Sequence, residues 1–66
     1  MKLQVNGEVR EVEAAANISE LLAHFQIQHK ILIVELNRQI IDRTKYMETT
    51  LRDGDQIEIV HFVGGG

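Results

Sequence analysis

Lys2-Leu3-Gln4-Val5-Asn6-Gly7-Glu8-Val9-Arg10-Glu11-Val12-Glu13, followed after three alanines by Asn17-Ile18-Ser19-Glu20-Leu21-Leu22-Ala23-His24-Phe25, decides the fold. Lys2 to Val5 alternates polar and apolar residues, the mark of a strand buried on one face. Asn6-Gly7 is a strong hairpin signal, because a type I′ turn needs positive φ at both central positions. The return strand runs over Glu8 to Glu13. Val9 and Val12 break its alternation there, which predicts a bulge or an early strand end. Asn17 then reads as an N-cap, with Glu20 three residues on as in a capping box. Ile18, Leu21, Leu22 and Phe25 recur at i, i+3, i+4 and i+7 and form one apolar helical face. Ala14 to Ala16 belong to the connection, and Lys30 falls just past the helix end, where positive charge is favourable.

Downstream, Ile31-Leu32-Ile33-Val34-Glu35-Leu36 is a near-continuous apolar run, which predicts a central strand covered on both faces. Asn37-Arg38 is a turn, Gln39-Ile40-Ile41 a short strand, and Asp42 to Thr50 irregular with one helical turn near Tyr46. Asp53-Gly54-Asp55 is a second strong turn, and Gln56 to Phe62 is the last strand. A hairpin with one apolar face, followed by an amphipathic helix, predicts that helix laid across a sheet. The order of elements resembles the β-grasp arrangement of ubiquitin-like proteins. That is an α+β fold with a mixed four- to five-stranded sheet, one main helix across it, and the first and last strands parallel at the centre. Residues 1–63 form this domain and 64–66 a glycine tail.

Sixty-six residues make one small domain, and with no cysteine it has no disulfide, thiolate ligand or nucleophilic thiol. Neither a signal-type leader nor an apolar run long enough to span a membrane is evident, so the expected location is cytoplasmic. The net charge of −3 argues against nucleic acid as a partner. His24 and His29, five apart, do not share a helical face, and with His61 they make a poor metal set. Asp53 and Asp55 are explained by turn chemistry. No nucleophile elbow, P-loop or HExxH motif occurs. No pocket of useful size is expected inside so small a core, which argues against catalysis by the chain alone.

The remaining chemical feature is the end of the chain, Phe62-Val63-Gly64-Gly65-Gly66. Glycine adds nothing to a core, but it gives a thin, permissive backbone that fits a narrow slot and carries an ionised carboxylate at its tip. A carboxylate is a poor electrophile until another enzyme converts it to an acyl-adenylate with ATP. Residues 63–66 reach about 13–14 Å when extended. On the tail alone, a frayed or appended terminus explains the glycines equally well.

Three blocks settle the comparison: Val34-Glu35-Leu36-Asn37-Arg38-Gln39-Ile40-Ile41, then Leu51-Arg52-Asp53-Gly54-Asp55-Gln56-Ile57-Glu58-Ile59-Val60, then Phe62-Val63-Gly64-Gly65-Gly66. Together they resemble the ThiS family, the bacterial sulfur carriers of thiamine biosynthesis, over essentially the whole chain. The small subunit of molybdopterin synthase is similar in fold and tail, but tends to be longer and often carries prolines before its glycines. A ubiquitin-like conjugation or interaction module is the other reading. The ThiS resemblance implies a carrier that is not itself an enzyme. An E1-like adenylating enzyme, using ATP and magnesium, activates the carboxyl group of Gly66. Sulfur from a cysteine desulfurase replaces one oxygen, and the thiocarboxylate supplies thiazole synthase. The carrier itself binds no cofactor and no metal. Gly64 and Gly65 form the thread behind Gly66; the family's tails are described by two glycines, and this one has three.

Docking needs a surface as well. On the last strand Ile57, Ile59 and His61 point one way and Glu58, Val60 and Phe62 the other. Assigning Ile57 and Ile59 to the core, with Tyr46 and Phe25, leaves Val60, Phe62 and Val63 beside the tail as an apolar partner-binding patch that Ile33 or Ile40 joins. The alternative is that Phe62 caps the core.

Overall fold

The computed structural model of the chain describes residues 1–13, 15–27 and 32–61. Its elements are strand β1 (Lys2–Val5), β2 (Glu8–Glu11), helix α1 (Ile18–His24), β3 (Leu32–Leu36), β4 (Gln39–Ile41), a 3₁₀ turn (Arg43–Lys45) and β5 (Gln56–His61). Five strands form one mixed sheet in the order β2-β1-β5-β3-β4. The first and last strands pair in parallel at its centre, with Val5 beside Ile57. On its other side β5 runs antiparallel to β3, from Leu36↔Ile57 to Leu32↔His61.

Local chemistry accounts for each boundary. Asn6 and Gly7 hold φ of 50° and 82°, as the tight β1–β2 turn requires. β2 ends early, at Glu11, and its register with β1 is regular, so Val12 breaks the alternation because it already lies beyond the strand. Its N–H donates to the Met1 carbonyl at 2.8 Å and its side chain is buried. Helix α1 has only seven residues, too few to persist alone in water. Caps and burial hold it. The Glu20 N–H donates to Asn17 Oδ1 at 2.8 Å, and Glu20 Oε1 accepts from the Ala16 N–H at 2.9 Å. At the other end the N–H of Gln26 donates to the Ala23 carbonyl and that of Ile27 to the Leu22 carbonyl. This is a Schellman closure with Gln26 at φ 59° in the left-handed position where glycine is usual.

Ile18, Leu21 and Leu22 are fully buried against Leu3, Val34 and Ile57 of the sheet. Each such side chain removed from water contributes about 1.5–3 kcal/mol. Two expectations are corrected. Phe25 is not part of the helical face: it is the C-cap residue, and it packs half-buried at the core margin. β3 is not covered on both faces. The helix covers one side only, so Val34 is buried while Ile33, on the other side, is half-buried. Leu32–Leu36 of that run does form an interior strand, flanked by β5 and β4, while Ile31 lies outside the described residues. Tyr46, which ends the 3₁₀ turn, is buried as expected.

The Asp53-Gly54-Asp55 turn does more than reverse the chain. Asp53 Oδ1 accepts from the Lys2 N–H at 2.6 Å, and the Gly54 N–H donates to the Lys2 carbonyl at 2.7 Å. Asp55 accepts from the Arg52 N–H through Oδ2 and from Asn37 Nδ2 through Oδ1. Asn37 Oδ1 in turn accepts from the Gln56 N–H at 3.0 Å. Two acidic side chains thus tie the start of β5 to the start of β1 and to the β3–β4 turn.

Candidate functional site

β5 leads into the glycine tail, so the site is built on the sheet's central strand. Backbone pairing to β3 reaches His61, whereas pairing to β1 stops where the hairpin turns away at Asn6. Asn6 bridges that gap. Its N–H donates to the Ile57 carbonyl at 2.9 Å, and its Oδ1 accepts from the Ile59 N–H at 2.7 Å. A side chain thereby continues the parallel ladder one step past the end of β1. The strand that carries the tail is therefore held on both edges to within two residues of its end. Nothing in the sequence except the Asn of the Asn-Gly turn signals this role, and turn chemistry alone explains that residue.

The two faces of β5 differ as alternation predicts. Ile57 and Ile59 face the core, while Glu58 and Val60 face away, Val60 being 44% exposed. Register assembles the open face. Ile33 lies opposite Val60, and Glu35 lies opposite both Glu58 and Ile40. Ile33, Ile40 and Val60 thus share one apolar surface, with Ile40 69% exposed, and a pair of glutamates crosses it. Neither Glu35 nor Glu58 has an ion-pair partner among the described residues. The register puts both Ile33 and Ile40 on the same open face as Val60. Phe62 and Val63, the other two predicted docking residues, and the predicted reacting terminus Gly64, Gly65 and Gly66 lie outside the described residues. So do Ala14, Lys30 and His29, and so does the boundary between domain and tail.

On the opposite, helix-bearing side an open groove of about 300 Å³ is lined by residues including Val5, Arg10, Phe25, Ile27 and Ile59. The Arg10 guanidinium sits 5.6 Å from the Phe25 ring centroid. The expectation that no useful pocket lies inside the core is not at odds with it, because this groove is a surface feature at the core's margin. Its charged lining among the described residues is Glu8 and Arg10, and among them no hydroxyl or imidazole lines it as a nucleophile or base. Among the described residues, no three His, Asp or Glu side chains come together as a metal set, and no helix is long and apolar enough to cross a membrane. Among the described residues two pKa values are displaced, both in the Asp42–Tyr46 segment. Hydrogen bonds from the Thr44 hydroxyl and N–H hold the Asp42 carboxyl below its ordinary value, and burial pushes the Tyr46 phenol up.

Comparison with known proteins bears on the whole chain. The profile of the ThiS family matches residues 3–66. The sulfur carrier protein ThiS of Bacillus subtilis is 51% identical over 65 residues, covering 97% of this chain and 98% of that protein. A thiazole synthase of Paramagnetospirillum magneticum is 38% identical over all 66 residues, which align with 20% of that longer protein. The crystal structure of the thiamine biosynthesis protein ThiS from Geobacter metallireducens superposes with a TM-score of 0.85 at 39% identity, covering both chains fully.

Proposed function

The chain belongs to the ThiS family, and from that premise we propose that it is the sulfur carrier for the thiazole moiety of thiamine. Its terminal carboxylate, on Gly66, is the group that carries sulfur. A separate E1-like enzyme adenylates it with ATP and magnesium. A desulfurase draws sulfur from cysteine as a persulfide, whose terminal sulfur attacks the acyl-adenylate and expels AMP. A thiol of the sulfur-donating partner then attacks the inner sulfur of the resulting acyl disulfide, forming a disulfide on that partner and releasing the thiocarboxylate. Thiazole synthase then takes the sulfur, in the cytoplasm. The observation that carries this reading is the full-length likeness to a protein named as a sulfur carrier. The proteins named thiazole synthase that contain a segment like this chain support thiazole synthase as the consumer.

The described architecture suits such a carrier. β5, the strand that precedes the tail in sequence, is held by β3 as far as His61 and by the Asn6 side chain as far as Ile59. Glycines at Gly64 and Gly65 keep the thread narrow enough for an enzyme slot. The absence of cysteine leaves no side-chain thiol to compete for the activated acyl group. Val60, Phe62 and Val63, with Ile33 and Ile40, form the docking surface for the partner enzymes. Its core is apolar, and the Glu35–Glu58 pair favours a basic rim on the partner.

The test is loading followed by alkylation. The protein is incubated with the adenylating enzyme, ATP and a sulfur source, treated with a thiol-alkylating reagent, and its intact mass measured. Oxygen-for-sulfur exchange that becomes alkylatable supports the proposal, and with no cysteine in the chain the adduct locates the sulfur at the terminus. Sulfoxidation of Met1 or Met47 mimics the first mass change but not the second. Isopeptide adducts, or no alkylatable product, refute the reading. Removing one of the three terminal glycines retracts the carboxylate by about 3.5 Å and is expected to abolish loading without changing the melting temperature; normal loading by that variant contradicts it.

A further inference from the structure

We propose that the outer edge of β2 is a self-association surface, through which two copies of this chain pair antiparallel about a twofold axis at Val9. β2 is a terminal strand of the sheet and all four of its residues are exposed. The Val12 N–H donates to the Met1 carbonyl, in register with Leu3↔Arg10 and Val5↔Glu8. Residues 8, 10 and 12 therefore turn their backbone groups toward β1. Val9 and Glu11 turn theirs outward, and no hydrogen bond among the described residues meets them.

The charge pattern selects one partner and one register. A twofold axis normal to the sheet keeps each face on its own side, so the axis must pass through a residue of the strand. An axis through Glu8, Arg10 or Glu11 sets that side chain against its own copy, charge against like charge. An axis through Val9 does the opposite. Val9 meets Val9, and Glu8 of each copy lies opposite Arg10 of the other, twice. Gly7 lies opposite Glu11, whose backbone groups both face the pairing edge. Within one copy neither Glu8 nor Arg10 has an ion-pair partner among the described residues; Arg10 rests on the Phe25 ring. Val9 is 71% exposed and becomes covered. The product is a continuous ten-stranded sheet in which β5 and the open face of each copy remain free, so association is compatible with docking and loading. An edge of four residues buries far less than the roughly 1,200 Å² at the low end of stable interfaces, so the dimer is weak and populated only at high concentration.

Sedimentation velocity and amide chemical shifts are measured on the full chain between about 10 µM and 2 mM, a range that brackets a weak dissociation constant. The expected result is a monomer-to-dimer transition at the upper end, with concentration-dependent shifts at Gly7, Val9 and Glu11. Arg10→Glu, which creates two like-charge contacts, weakens association at least about tenfold. The exchanged pair Glu8→Arg with Arg10→Glu restores it to within about threefold. Val9→Pro removes only an outward N–H and abolishes association while leaving the β1–β2 ladder intact, which circular dichroism checks. A monomer at the highest concentration overturns the proposal. So do shifts mapping to Ile33, Ile40 and Val60 instead, or a folded exchange variant that fails to recover association. None of these outcomes depends on sulfur loading.

Discussion

Two exposed, non-glycine residues occupy left-handed positions that the backbone requires and that glycine would adopt with less strain. Gln26 has φ 59° at the closure of α1, and Arg38 has φ 70° in the β3–β4 turn. Neither side chain makes a hydrogen bond or ion pair among the described residues, so replacing them removes no such polar contact. For an L-residue that conformation costs about 1–2 kcal/mol, and a glycine there gives back roughly 0.5–1 kcal/mol in extra chain entropy. Gln26→Gly and Arg38→Gly are therefore each expected to stabilise by about 0.5–1 kcal/mol. Because the sites lie on different elements, the double variant gains about 1–2 kcal/mol. In a domain of this size that raises the melting temperature by roughly 5–15 °C. Gly54→Ala is the control. Gly54 has φ 89° and open space where a Cβ would go, so any loss comes from the backbone alone, about 1 kcal/mol. Thermal and urea unfolding at neutral pH measure all four proteins. A double variant that melts at or below the parent temperature, with Gly54→Ala neutral, refutes the reasoning.

The two faces of β5 make opposite predictions. Ile57→Ala is expected to cost about 2–5 kcal/mol, comparable to the whole stability of so small a core, and to leave the chain largely unfolded by circular dichroism. Val60→Asp is expected to leave the melting temperature nearly unchanged but to raise the KM for the carrier in the adenylation assay. Tyr46 governs alkaline behaviour. Burial raises its pKa above the ordinary 10.0, opposed by the Arg43 charge and by a hydrogen bond with the Val34 backbone. The neutral phenol thus stabilises the fold fully below pH 10.0, and that stability is lost as pH rises through the folded-state value. Tyr46→Phe is expected to be modestly less stable at neutral pH and to lose that alkaline component, as urea titrations at several pH values would show.

Much of the architecture was legible because it is written in local chemistry. Asn6-Gly7 dictated a tight hairpin, Asn17 and Glu20 a capped helix start, and Ile18, Leu21 and Leu22 the face that helix buries. Alternation along β5 divided Ile57 and Ile59 from Glu58 and Val60. The misreadings came where the local signal was ambiguous. The helical period carried on through Phe25, but the chain had already closed α1 with a left-handed Gln26, a conformation that glutamine does not announce. The continuous run at Ile31–Leu36 looked like a strand covered twice, because an apolar open face has the same composition as a buried one.

By itself the sequence determined the elements, the polarity of each strand and the chemical identity of the tail, all properties of residues and their near neighbours. Which residues from separate elements meet was decided by the tertiary structure alone, because register is a long-range quantity. It placed β5 between β1 and β3, set Ile33 beside Val60 and Glu35 between Glu58 and Ile40, and turned the Asp53–Asp55 turn into a clasp on Lys2 and Asn37. It also gave the Asn6 side chain the Ile59 N–H, continuing the ladder on the strand that leads to the glycines.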